Sequence, residues 1–246
     1  MVEVKRNSGK YIALLNLFQS VAIVMLILYL SVFFLLGIQT SQFLNLSPAT
    51  LTVIRILTGF VVFFSSGLYF IKKRSISLND LLLKKEKRIS KIIILSVASI
   101  AIGLAAHLMR SYISHLIQYY GVNLGWREAA LATKDIYFAM TFIWVIHSTG
   151  EEFFFRGYLY NNLKEYFSVP GAMLISSIIF SLVHIPYSFT HGCFYVFTSL
   201  IMTMTYQRFG SLLFPILVHA TTNIYSHYCT IQGDSFIYRW IQSFFY

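Results

Sequence analysis

Three stretches of this chain contain no Asp, Glu, Lys or Arg: residues 11–54, 166–207 and 209–233. A helix that crosses the hydrocarbon core of a bilayer needs about 20 apolar residues, so each stretch has room for one or two spans. Composition points the same way. Of 246 residues, 57% are hydrophobic and only 11% charged, against roughly 25% charged in an average soluble domain. Such a chain cannot clothe itself in polar surface, which excludes a soluble fold and a disordered one. Nucleic-acid binding is excluded as well, despite a net charge of +10, and no nucleic-acid partner is expected. Two cysteines, Cys193 and Cys229, are too few for a disulfide scaffold. They are expected to be buried free thiols, although their positions at the outer ends of adjacent spans would allow a pair.

The charges that do exist are gathered into short segments. Residues 72–91 hold eight Lys or Arg against Asp80 and Glu86, and the first ten residues hold Lys5, Arg6 and Lys10 against Glu3. Solvated basic loops explain both, and positive residues in short loops mark the cytoplasmic side. Both segments are therefore expected inside, with an even number of spans between them. The first apolar run, residues 11–37, is far longer than the 7–15 residues of a signal peptide's apolar region and reads as an anchored span. Spans are predicted at 12–37, 50–71, 92–117, 136–160, 170–189, 193–207 and 211–228. The loops at 38–49 and 118–135 then lie outside, and Lys164, Glu165 and Arg208 inside. The alternating strands of a barrel are missing. The expected fold is an all-α polytopic transmembrane helix bundle of about seven to eight spans with an active site inside it. It forms one structural unit with three sections: N-terminal spans and basic loop at 1–135, a core at 136–228, and a tail at 229–246. The tail is either an interfacial segment or a short last span.

An ionised group at mid-membrane costs at least about 2.5–3.5 kcal/mol, so the few polar residues inside predicted spans are the functional candidates. The fourth span reads STGEEFFFRGYLY, with Glu151, Glu152 and Arg156. Residues four apart share a helix face, so Glu152 and Arg156 can neutralise each other. Glu151 lies about 140° around the helix from Arg156 and is left unpaired, a carboxylate suited to accepting a proton near neutral pH. On the fifth span His184 follows Phe180 by four residues, and Pro186 should end or kink that helix and free carbonyls near the imidazole. The seventh span carries His219 and Asn223, again on one face, an N–H and an amide donor suited to an oxyanion. A helix-end charge cluster, a packed histidine and an interhelical polar bridge are the plainer readings of the three sets. Measured from the inner span ends, Glu151, His219 and Asn223 lie about 13, 12 and 18 Å deep, and His184 about 21 Å, at 1.5 Å per residue. His184 is too deep unless its helix tilts or begins after Pro170.

In this order on separate helices, E-E-x-x-x-R, F-x-x-x-H and H-x-x-x-N resemble the CPBP family, the CAAX prenyl proteases and bacteriocin-processing or immunity proteins also called Abi-domain proteins. The flanking FFFRGYL and FGSLLFPILVHATTN match too, and the resemblance spans about residues 136–228. It implies a glutamate-dependent intramembrane endopeptidase that needs no metal or other cofactor. In it Glu151 with His184 would activate a water, and His219 and Asn223 would form the oxyanion hole. Glu152 and Arg156 would hold the site together, and Phe180 would pack beside it. His147, four residues before Glu151, lies outside the family pattern and reads as a packed core histidine. Glu with two His is also a catalytic zinc set, which makes zinc-dependent hydrolysis a competitor, although no H-E-x-x-H is present.

The expected setting is a bacterial cell membrane, and the expected substrate a membrane-associated peptide or protein near the cytoplasmic leaflet. It would be a prenylated C-terminus, or the precursor of a peptide pheromone or bacteriocin. A non-catalytic immunity protein, or a regulator partnered with a sensor kinase or a neighbouring gene's product, is the alternative from another class. A small transporter fits less well, because paired broken helices are missing.

Overall fold

The structure is a computed structural model that describes residues 2–40, 46–73, 81, 89–116, 130–184 and 189–232. Each span predicted from the sequence corresponds to a helix, although the one expected at 170–189 ends at Val183: α1 (Val2–Thr40), α2 (Pro48–Lys73), α3 (Ile89–Leu116), α4 (Tyr137–Glu152), α5 (Val169–Val183), α6 (Phe189–Phe209) and α7 (Leu213–Gln232). A single 3₁₀ turn, Lys134–Ile136, leads into α4. The same rod then runs on as a π-helix, Phe153–Tyr160, and closes with an α-turn, Asn161–Leu163. No strand occurs among the described residues. The tail beyond residue 232 and most of the basic loop lie outside them, and with them the expectations of an eighth span and an interfacial tail.

Local sequence accounts for the helix ends. Ser47 precedes Pro48 and accepts the amide N–H of Thr50 at 3.1 Å. Ser168 accepts that of Gly171, with Pro170 in the first turn of α5. Both pairings put a hydroxyl on an orphan amide and a proline where no amide is needed. Between α6 and α7 the chain reverses at Gly210, whose φ of 66° lies in the left-handed region open to glycine.

Polarity is inverted relative to a soluble bundle. Ile23, Leu26, Ile94, Val97, Phe138 and Leu182 face outward, whereas Ser148, Glu151, Glu152, Arg156, Ser199, Thr203 and His219 are buried. Residues 11–31 of α1, α2 and residues 89–109 of α3 are long and apolar enough to cross a membrane on those grounds alone. Helix α5 is apolar but shorter, and α6 and α7, although long enough, are less apolar. Their interior polar residues dilute them. The chain is an integral membrane protein with a polytopic helical bundle.

The α4 rod is the axis of that bundle, since every residue from 150 to 160 is buried. Its buried surface combines the polar residues Glu151, Glu152 and Arg156 with the three aromatic rings of Phe153, Phe154 and Phe155. Phe153 packs on Phe64, Phe154 on Phe63, and Phe155 on both Phe63 and Phe180. Helix α2 lies so close to the rod that a Cβ on Gly67 would come within 3.0 Å of the Phe153 carbonyl carbon and the Phe154 nitrogen. Likewise a Cβ on Gly103 of α3 would stand 2.7 Å from the Val218 carbonyl oxygen of α7. Small residues of this kind let membrane helices approach backbone to backbone. Gly67→Ala is therefore expected to destabilise the bundle by about 1–3 kcal/mol, the usual cost of overpacking. A lower midpoint of thermal unfolding in detergent micelles would register it.

Candidate active site

The ion pair anticipated from helix spacing is present. Arg156 Nη1 donates to Glu152 Oε1 at 2.8 Å, with the two side chains 1% and 0% exposed. The guanidinium has further donors in a fixed fork, and α6 supplies their acceptors. Nη2 donates to the carbonyl and the hydroxyl oxygen of Ser199, both at 2.9 Å, and Nε to Thr203 Oγ1 at 3.3 Å. The face of Phe180 lies 5.2 Å from the guanidinium carbon. Ser199 and Thr203 escaped the reading of the sequence. Their trace there is a small hydroxyl pair, four residues apart, on a helix whose only charge is Arg208.

Glu152 Oε1 also accepts from His219 Nδ1 at 2.8 Å. A carboxylate has no proton to give, so Nδ1 is the donor, and the ring's Nε2 then lies 3.4 Å from Glu151 Oε2. His184 approaches from α5. The last turn of that helix tightens, with the His184 amide bonding to the Ser181 carbonyl at 3.1 Å. The Phe180 carbonyl is thereby released and takes the His184 Nδ1–H at 2.8 Å. Helix α5 ends at Val183, as expected just ahead of Pro186. Its start at Val169 rules out the late beginning invoked for the depth of His184. The ring stacks between Phe180 and Tyr195, each 4.4 Å away, and turns Nε2 to within 3.8 Å of Glu151 Oε1. Tyr29 of α1 reinforces this helix end by donating its hydroxyl to the Leu182 carbonyl at 3.2 Å.

One expectation needs correcting. Glu151 is not left unpaired, because His147 Nε2 lies 3.2 Å from its Oε1. His147, expected to be a packed core histidine, shares the helix face of Glu151 and pairs with it, and α5 and α7 bring two further imidazoles. Glu151 is 3% exposed, and His147 and His184 are 16% and 21% exposed, so the cluster is open to its surroundings on the side of these two rings. Asn223, one turn beyond His219, donates its amide to Ser148 Oγ at 3.3 Å rather than to the cluster. Among the described residues no three His, Cys, Asp or Glu side chains form a group that could hold a metal ion. Cys193 is exposed rather than buried, Cys229 is buried, and both are free.

The π-helical stretch begins at the residue after Glu152. Such widened turns often sit at functional sites, and their loosened carbonyls need partners. The Asn161 amide supplies them for Arg156 and Gly157, and Asn162 for Tyr158 at 2.6 Å.

Two carboxylates, three imidazoles and a guanidinium thus converge in an apolar shell. One carboxylate is locked into an ion pair, and the other faces imidazole nitrogens. Buried acid and base groups of this kind can exchange protons with a substrate or a water. No curated protein matches the chain. Residues 133–225 match the family model described as type II CAAX prenyl endopeptidase Rce1-like. That segment holds Glu151, Glu152, Arg156, Phe180, His184, His219 and Asn223 together, so the part of the chain that carries the polar cluster is similar to the type II CAAX prenyl endopeptidases.

Proposed function

We propose that the protein is an intramembrane endopeptidase in which Glu151 and His184 activate a water for attack on a peptide carbonyl. The observation that carries this reading is the placing of two proton acceptors about one point. Glu151 Oε1 and His184 Nε2 are 3.8 Å apart, too far for a direct hydrogen bond. The His184 Nδ1–H is already given to Phe180, so Nε2 presents a lone pair. A water between the two donates one O–H to each. As its oxygen bonds to the scissile carbon, its proton passes to this pair, which returns it to the leaving nitrogen when the C–N bond breaks.

In this reading His219 and Asn223, one turn apart on α7, are the donors to the developing oxyanion. With Nδ1–H held by Glu152, His219 offers an Nε2–H only as imidazolium, and in that form it faces both Glu152 and the reacting carbonyl. Asn223 transfers its amide from Ser148 to the oxyanion. Glu152, Arg156 and Phe180 keep these groups in register. Similarity of residues 133–225 to the type II CAAX prenyl endopeptidases supports a prenylated C-terminus as substrate. Maturation of a pheromone or bacteriocin precursor is the finer alternative within the same chemistry. Both substrates are membrane-associated, in keeping with a site walled by lipid-facing helices. The N-terminus and the 72–91 loop are assigned to the cytoplasm from their basic charge.

The test uses the full chain in lipid nanodiscs with a fluorogenic farnesylated C-a-a-X peptide and the same peptide without the prenyl group. Cleavage is expected for the wild type and not for Glu151→Gln or His184→Ala at equal membrane abundance; a Glu151→Gln protein that still cuts would sink the mechanism. His219→Ala and Asn223→Ala should each lower kcat by about 100- to 1,000-fold, the usual loss of an oxyanion donor. Cutting of the unprenylated peptide alone would favour the precursor-processing alternative. Arg156→Met is expected to act differently, by leaving Glu152 buried and uncompensated at about 3–5 kcal/mol. Arg156→Lys should rescue little, since an ammonium cannot span Glu152, Ser199 and Thr203. Immunoblotting of membranes would show both variants depleted rather than merely inactive.

A further inference from the structure

We propose that His147 is a positioning residue for Glu151 and that α2, outside the segment matched by the family, sets its orientation. The proposal rests on Glu151 being the general base. His147 lies between two oxygens. Its Nδ1 is 3.1 Å from the Ile56 carbonyl oxygen of α2, and its Nε2 is 3.2 Å from Glu151 Oε1. A carbonyl can only accept, so Nδ1 carries a proton directed at Ile56. The Nε2···Oε1 contact then needs a second proton, because a bare nitrogen lone pair facing a carboxylate would be repulsive. That shared proton fixes Oε1, the oxygen that also faces His184, and turns Oε2 toward His219, whose Nε2 lies 3.4 Å away.

Helix α2 is shaped for this ring. A Cβ on Gly59, three residues after Ile56, would stand 3.0 Å from His147 Cε1 and 3.5 Å from Nδ1. Gly150 makes the same approach in reverse, since a Cβ there would lie 2.9 Å from the Phe60 carbonyl oxygen. The notch at Gly59 and the carbonyl of Ile56 together place the imidazole. The edge of Trp144 closes it in on its own helix, with ring centres 5.7 Å apart. The other titratable groups about the pair are His184 from the end of α5 and His219 from α7, with Glu152 behind His219. Each of these two rings has already committed its Nδ1–H elsewhere. His147 is the ring that bonds Glu151 most closely, and it does so from the same helix face one turn earlier.

Nitrogen-15 histidine spectra of the full chain in nanodiscs test the link without any substrate, with the His147 signals identified by their loss in His147→Gln. In the wild type both ring nitrogens should read as protonated or proton-sharing. Glu151→Gln should return His147 to a neutral ring with the proton on Nδ1, and Gly59→Ala should displace both signals. Identical His147 signals in wild type and Glu151→Gln would overturn the proposal. On the farnesylated peptide, His147→Phe should lower kcat at least about tenfold at nearly constant KM, as misplacement of a catalytic group does. His147→Gln, which keeps a donor for Oε1, should recover most of that loss. A ring that merely packs would instead reduce abundance and leave the kcat of recovered protein intact, which also overturns the proposal. If the wild type cuts neither peptide, the endopeptidase reading fails, and the spectra still decide whether His147 holds Glu151.

Discussion

The structure hangs on a buried ion pair. Arg156 and Glu152 are almost wholly removed from solvent in a bundle whose outer surface is apolar. Two opposite charges in such a place are tolerable only if the geometry is good and the remaining donors and acceptors are used. Here the pair recruits its neighbours. The donors left on Arg156 draw in Ser199 and Thr203 and so fix α6, and Glu152 draws in His219 and so fixes α7. Phe180 covers the guanidinium and stacks on His184, which ties α5 to the same point. Each motif helix reaches the centre through the ion pair or the ring that lies over it.

Much of this was legible in the sequence, and the reason is the cost of charge in lipid. With so few ionisable residues in the spans, the i,i+4 relation of Glu152 and Arg156 had few competing readings. The same economy exposed His184, His219 and Asn223. The end of α5 could be read from Pro186, and the release of a carbonyl toward His184 followed from it. Less legible was anything set by contact between helices. Ser199 and Thr203 look like ordinary small residues of a span until Arg156 is seen beside them. His147 was visible at the right spacing from Glu151, but spacing alone does not separate a packed ring from a bonded one. Only the Ile56 carbonyl and the notch at Gly59 do that. The π-helical course of residues 153–160 has no evident signature in FFFRGYLY beyond the two asparagines that follow it.

The first helices are not a detached anchor. Helix α1 reaches the end of α5 through Tyr29, and α2 meets α4 at Gly67, Gly59 and Gly150. These contacts are made by backbone and small residues, which carry no chemical motif of their own. A segment can therefore look empty of motifs in sequence and still pack directly against the helix that carries the buried carboxylates. In this bundle the support of the site is spread over more of the chain than its reactive groups are.

The spacing within α4 has a consequence for how such a protein is made. His147 with Glu151, and Glu152 with Arg156, are two i,i+4 pairs set side by side on a single helix. Each carboxylate thus has a partner on its own helix before any other span is in place, Arg156 as a fixed charge and His147 as one that can take a proton. A nascent helix with two bare carboxylates would be poorly accepted by the bilayer. One whose acids are matched within a turn can enter nearly neutral and wait for α6 and α7 to complete the polar core. The two pairs that lie at the centre of the finished polar core would thus also ease the helix's passage into lipid during synthesis.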